Sequence, residues 1–216
     1  MKQWMRQQWR ENRSFFAFVF LMFVFRSAVA DWNEVPTGSM NPTIVEGDRI
    51  LVNKLAYDVN VPFTHVSLFK IGDPQRGDII VFDSNAAGKR LVKRVVGLPG
   101  DRVELRNNQL FINDINIAYA TLTNGSVTSD KVEDLFGVKH IIRVKNDGSR
   151  LSSFTAITVP NGCYLALGDN RDNSADSRVI GFIPRHEIVG SSKRVVVSFN
   201  YDNYYIPRAD RYLRSL

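Results

Sequence analysis

Lys89–Leu105 reads KRLVKRVVGLPGDRVEL. Leu91, Val92, Val95 and Val96 form a short apolar run, Leu98-Pro99-Gly100-Asp101 forms a turn, and Val103 and Leu105 open a second run. A β-branched run, a tight turn and another run predict a strand, a turn and a strand. Lys93 and Arg94 lie inside the first strand. Successive side chains of a strand face opposite ways, so one of the two can be buried while the other is solvated or paired. A plain alternative for Lys93 is an edge lysine that keeps the strand soluble.

The same pattern extends outward in both directions. DRILVNKLAY and RGDIIVFDS precede it; QLFINDINI, AITVPNGCYLALGDN and SKRVVVSF follow it. These are short runs bounded by turn residues, and they predict a mainly β, antiparallel fold of many short strands. From about Asn107 to Phe154 the chain is more polar and looser, with LTNGSVTSD and KNDGSRLSS. A smaller inserted lobe at about 107–156 is expected there.

With 216 residues the chain can hold one sizeable domain plus an appendage. At 44% hydrophobic and 11% aromatic residues it is not a disordered chain. The net charge is +6, of which +3 falls in the first thirteen residues, where Lys2, Arg6, Arg10 and Arg13 stand against Glu11. No basic stripe interleaved with aromatics remains, so nucleic acid is not the expected partner. The single Cys163 makes no internal disulfide, and the three histidines are scattered. HEIVG at His186 misses the zinc motif H-E-x-x-H because Gly190 stands at the second ligand position. No metal and no cofactor are expected.

The basic head, 1–13, leads into SFFAFVFLMFVF, with an unbroken apolar run from Phe15 to Phe25. Eleven helical residues cover about 16 Å of a hydrocarbon core of roughly 30 Å; continuing to Trp32 brings this to about 27 Å. Arg26 would then snorkel, with Trp32 as an interfacial anchor. A cleavable signal peptide fits the same residues, with AVA at Ala28–Ala30 as the small-x-small site. Either way the remainder of the chain is expected outside the cytoplasm. With thirteen residues ahead of Ser14, one membrane segment is expected.

Glu34–Lys54 reads EVPTGSMNPTIVEGDRILVNK, with Ser39 behind Gly38 and no histidine nearby. It is not a G-x-S-x-G elbow, since Thr37 and Asn41 replace the glycines, nor S-x-x-K, since Pro42 replaces the lysine. A serine hydroxyl needs a general base, and a lysine serves if burial lowers its pKa enough to leave the amine neutral. Lys93 meets that description. The third cluster, GDNRDNSADSR (Gly168–Arg178), is dense in Asp, Asn, Ser and Arg. It lacks the Gly and Glu of a calcium loop, and can hold a neighbouring lysine through a polar network.

An apolar N-terminal segment followed in order by PTGSMNPT, GDRILVNK, RGDIIVF, KRVVGLPGD and GDNRDNSADSR resembles the type I signal peptidase (bacterial leader peptidase) family over nearly the whole chain. The resemblance implies an endopeptidase with a Ser–Lys dyad on a β-rich fold with an inserted lobe. It removes signal peptides after small-x-small (Ala-x-Ala) sites. Ser39 matches the nucleophile and Lys93 the general base. Ser174 matches the hydroxyl that orients the amine. Thr37 matches the side chain that builds the oxyanion hole with the Ser39 N–H. Asp169, Arg171, Asp176 and Arg178 match the supporting network, with Arg94 expected to pair with Asp169. Val35, Met40, Ile44 and Val92 would line the substrate pockets. Val61–Phe69 is either a bilayer contact or a hydrophobic lobe contact. The resemblance favours an uncleaved anchor at 14–32 and an exported domain at 33–216. It implies a single-pass protein of the cytoplasmic (inner) membrane, N-terminus inside and catalytic domain on the periplasmic or extracellular side. Preproteins and membrane lipid are the expected partners, and the expected state is a monomer. Two other assignments stay open: a conjugation-related Ser–Lys processing peptidase, and a non-catalytic membrane-anchored envelope binding domain.

Overall fold

The computed structural model of the chain describes residues 2–64, 66–201 and 203–216, with side chains from residue 12 onward. The side chains of the basic head up to Glu11, and His65, lie outside the described residues. Helix α1 spans Lys2–Ala28. It stops short of the expected Trp32, because Ala30–Glu34 is strand β1, paired with β2 (Asp48–Asn53) from Ala30↔Asn53 to Glu34↔Arg49. Beyond Phe25 no apolar run favours the helix, and the strand pairing satisfies the backbone groups instead. The last turn of α1 is tied to the domain: Lys54 Nζ donates to Arg26 O at 2.9 Å and Ser27 O at 3.1 Å, capping two carbonyls the helix leaves free. Arg26 is partly exposed. It pairs with Asp31 at 2.6 Å and lies 4.2 Å from the centre of the Trp32 ring. Among the described residues no helix is long and apolar enough to cross a membrane.

The strands continue with β3 (Asp58–Asn60), β4 (Ser67–Lys70), β5 (Ile79–Ser84), β6 (Lys89–Gly97), β7 (Arg102–Arg106), β8 (Gln109–Ile112) and β9 (Ile115–Asn116). Then come β10 (Ala118–Asn124), β11 (Thr128–Leu135), β12 (Val138–Lys145), β13 (Phe154–Thr158) and β14 (Cys163–Leu167). The short helix α2 (Ser177–Ile180), β15 (Ile183–Pro184), β16 (Ile188–Asn200) and β17 (Ile206–Pro207) complete the chain. The main sheet runs β1-β2-β16-β5-β6-β14-β15, with β17 on β16. The named pairings are antiparallel.

Period-two patterning decides the core. On β5, Ile79 and Val81 enter one cluster with Val35, Met40, Ile44, Ile50, Val52 and Val195. Ile80 and Phe82 enter the other, with Tyr57, Val95, Tyr164 and Ile183. Each such side chain contributes about 1.5–3 kcal/mol on burial.

The polar region near 107–156 is not loose. It holds the three-stranded sheet β10-β11-β12 and most of a second sheet, β13-β7-β8-β9. That second sheet begins at Arg102 and ends at Thr158, since β7 and β13 pair with each other. Asn107-Asn108 and Asn113-Asp114 take positive φ at the two hairpin turns, where Asn and Asp tolerate the left-handed region. Leu105, Leu110, Ile112 and Leu135 of these two sheets share one core cluster with Val96, Leu165 and Leu167 of the main sheet.

Candidate active site

Ser39 sits in a single 3-10 turn, Gly38–Met40, with three residues between it and the end of β1 at Glu34. Asn41 N–H closes the turn on Gly38 O at 3.1 Å and Ile44 N–H bonds Met40 O at 2.9 Å. A Cβ at Gly38 would lie 2.6 Å from Asn41 Nδ2, so a larger residue there would displace the Asn41 side chain. Thr37 precedes the turn in extended conformation, exposed, with its hydroxyl not used as a helix cap.

Lys93 reaches the serine from β6. Its Nζ lies 2.8 Å from Ser39 Oγ and 2.8 Å from Val92 O, and the side chain is 2% exposed. Burial lowers the amine's pKa from 10.5 to about 8, against the carboxylates of Asp176 and Asp169, which pull it up. Burial prevails because both carboxylates are already matched. Arg94, one residue on and facing other partners, makes a two-pronged pair with Asp169 at 2.8 and 2.9 Å and donates to Gly77 O. Arg178 holds Asp176, which also accepts from Gly168 N–H at 2.9 Å. Burial alone would raise the pKa of both acids; the guanidiniums outweigh it and hold both below the usual carboxylate range. Arg178 further donates to Leu151 O and Arg171 O, each at 2.6 Å, and so ties the loop to itself and to the lobe.

Ser174 is buried, but its Oγ has no hydrogen-bond partner among the described residues. The bonds the amine makes go to Ser39 and Val92, so the expected hydroxyl-to-amine contact is absent. Ser174 instead packs against Gly168: a Cβ there would lie 2.2 Å from Ser174 Oγ and 2.4 Å from Ser39 O. The missing side chain of Gly168 is what lets the loop approach the nucleophile's backbone.

Three of the four expected pocket residues lie in the core. Met40 and Ile44 are 0% exposed and Val35 3%, all within one core cluster. They pack with Ile50, Val52 and Val81 in that cluster. Val92 alone of the four is partly exposed. Two residues of the site carry no local signal in the sequence. Asn170 binds the carbonyls of Gly38 and Ser39. Glu133 on β11, 0% exposed, takes the guanidinium of Arg171 through both oxygens.

The structure thus brings a serine hydroxyl into hydrogen-bond contact with a buried lysine amine on an antiparallel scaffold. Residues 6–197 match the family described as "Signal peptidase, peptidase S26", and the chain belongs to that family. It is 38% identical over 205 residues to signal peptidase I of Pseudomonas aeruginosa, covering 87% of this chain and 72% of that one. With signal peptidase I of Pseudomonas fluorescens the identity is 39% over 208 residues, with the same coverages. A crystal structure of a signal peptidase I from Enterococcus faecalis V583 is 32% identical, covers 56% of this chain and 98% of that chain, and superposes with a TM-score of 0.38.

Proposed function

We propose that this chain is a serine endopeptidase that removes N-terminal signal peptides from exported preproteins, cutting after small-x-small sites by Ser39–Lys93 acyl transfer. The observation that carries this is the 2.8 Å contact between Ser39 Oγ and a lysine amine that burial brings to a pKa of about 8. Neutral Lys93 Nζ takes the hydroxyl proton as Ser39 Oγ attacks the scissile carbonyl. The carbonyl oxygen becomes an oxyanion, held by the Ser39 N–H and the Thr37 hydroxyl. The ammonium of Lys93 then gives its proton to the leaving amine, and the amide bond breaks. A water, deprotonated by the same amine, releases the acyl group from Ser39. Arg94 and Arg178 matter here because an unpaired Asp169 or Asp176 would keep the amine charged. Ser174 is assigned to the substrate-bound state, in which its hydroxyl steadies the amine. Val92, partly exposed at the edge of the core cluster of Met40 and Ile44, is placed beside the scissile residue.

The membrane part of the reading rests on exposure. Phe15, Phe18, Phe20, Leu21, Phe23 and Phe25 of α1 all face outward, as do Phe63, Leu68 and Phe69 of the β3–β4 hairpin. The hairpin is fastened to the end of α1 by Phe63 N–H donating to Ser27 Oγ at 2.5 Å. An apolar helix and an apolar hairpin tip on one side of the domain fit a bilayer surface. The proposed placement is a single anchor in the cytoplasmic membrane, with the catalytic domain on the outer side where preproteins emerge.

The direct test mixes detergent-solubilised chain with a preprotein and reads the products by mass spectrometry. A single cut after a small-x-small site supports the assignment; no cut, or equal cutting by Ser39→Ala, overturns it. Two further results are expected. kcat/KM rises tenfold per pH unit up to about 8 and levels above, because only the neutral amine is a base; a midpoint near 10.5 would mean a solvated lysine. Thr37→Val lowers kcat by 10²–10³-fold, about 3–4 kcal/mol, with an unchanged melting temperature, since Thr37 is exposed and caps nothing.

A further inference from the structure

Gly38 and Ser39 both offer a backbone carbonyl to one neighbour. Asn170 Nδ2 donates to Gly38 O at 2.9 Å, and Asn170 N–H donates to Ser39 O at 3.1 Å. The first bond grips the peptide unit that carries the Ser39 N–H. Gly38 C=O and Ser39 N–H are the two ends of one planar, trans group, so holding the carbonyl fixes the opposite direction of the N–H. That N–H is the backbone donor of the proposed oxyanion hole. It lies in the opening turn of a 3-10 segment, where N–H groups have no partner within the turn. A hydrogen bond to the carbonyl end also polarises the unit and strengthens its N–H as a donor.

Asn170 is in turn held by the second lobe. Arg143 N–H on β12 donates to Asp169 O, and Arg171 N–H donates to Arg143 O, both at 2.8 Å, so Asn170 lies on a short parallel ladder with β12. Arg171, 1% exposed, extends into the lobe and donates Nη1 to Glu133 Oε1 at 2.8 Å and Nη2 to Glu133 Oε2. Tyr119 OH on β10 donates to the same carboxylate, and His140 Nε2 on β12 lies 3.1 Å from it. All three strands of that sheet therefore converge on the anchor of the loop that carries Asn170.

We propose that Asn170 is a positioning residue that aims the Ser39 N–H at the oxyanion, and that the inserted lobe keeps Asn170 in place through β12 and the Glu133–Arg171 clasp. This gives the lobe a part in catalysis without any contact with substrate. It rests on Ser39 being the nucleophile.

The test uses the full chain in detergent with Asn170→Leu, which keeps the side chain's shape and removes its amide donor without adding charge. The readouts are kcat per active site (from the acylation burst), KM, the pH profile and the melting temperature. Asn170→Leu is expected to lower kcat about 10²-fold, as small misplacements of reacting groups do. KM should stay within about threefold, and the acid limb should stay where wild type has it, because Lys93 is untouched. A kcat within threefold of wild type, a loss confined to KM, or a displaced acid limb each overturn the proposal. Glu133→Gln tests the lobe's part: kcat per site falls at unchanged KM if the clasp positions the loop, and stays at the wild-type value if it does not. Should that variant not fold, Tyr119→Phe takes its place with the same two outcomes in smaller measure. Cleavage by Ser39→Ala would remove the nucleophile assignment itself. Normal wild-type cleavage with an unchanged Asn170→Leu removes this inference alone.

Discussion

Lys93→Met is expected to lose at least 10⁴-fold in cleavage rate while gaining stability at neutral pH. The loss follows from the chemistry: the hydroxyl of Ser39 has one base within reach, and methionine cannot accept a proton. The gain follows from burial. In the unfolded chain the amine titrates near 10.5, and in the fold near 8. Below pH 8 the folded protein therefore carries a buried cation that it holds less favourably than water does, by about 3 kcal/mol for that displacement. The penalty is full below pH 8, shrinks as pH rises through the interval, and is gone above 10.5. Methionine fills similar volume without it. Calorimetry should show a higher melting temperature for the variant at pH 7 and convergence with wild type near pH 10.5. A variant that melts lower at pH 7, or that still cuts, contradicts the role given to Lys93.

Arg94→Met is expected to have the second largest effect, with the opposite sign in stability. Asp169 is 1% exposed and its charge is met by the two prongs of Arg94. Removing one partner of such a buried pair costs about 3–5 kcal/mol, because the other charge stays behind without solvent. For a chain of this size that lowers the melting temperature by about 6–20 °C. Activity should fall as well, for a separate reason. An uncompensated carboxylate near Lys93 raises the amine's pKa, so the acid limb of the pH profile should move above 8 in the variant. Thermal melts and a pH–rate series measure the two effects independently. An unchanged melting temperature would show that the pair is not the structural tie described here.

The β architecture could be read from the sequence because β-branched runs and turn residues are local signals. IIVFDS, LVKRVVG and KRVVVSF each lie in a strand of the main sheet. The end of α1 could not be read in the same way, because the strand pairing of Ala30–Glu34 depends on β2, about twenty residues away. The polar stretch after Asn107 looked loose because most side chains of β10 face solvent, which leaves no apolar alternation to detect. The meeting of Lys93 with Ser39 was anticipated from motif and chemistry, since a lysine amid valines is a local signal. Asn170 and Glu133 act on partners 132 and 38 residues distant, and an amide or an acid in a polar stretch says nothing about which carbonyl or guanidinium it will find. Val35, Met40 and Ile44 show the converse. An apolar residue beside a nucleophile reads equally well as pocket or as core, and only packing separates the two.

The central claim is the protonation state of one amine, and its titration is the most direct measurement. With ¹⁵N-labelled lysine, the Lys93 ζ-nitrogen resonance, assigned by its disappearance in Lys93→Met, should titrate near pH 8. A midpoint near 10.5, the value of a lysine in water, would contradict the account.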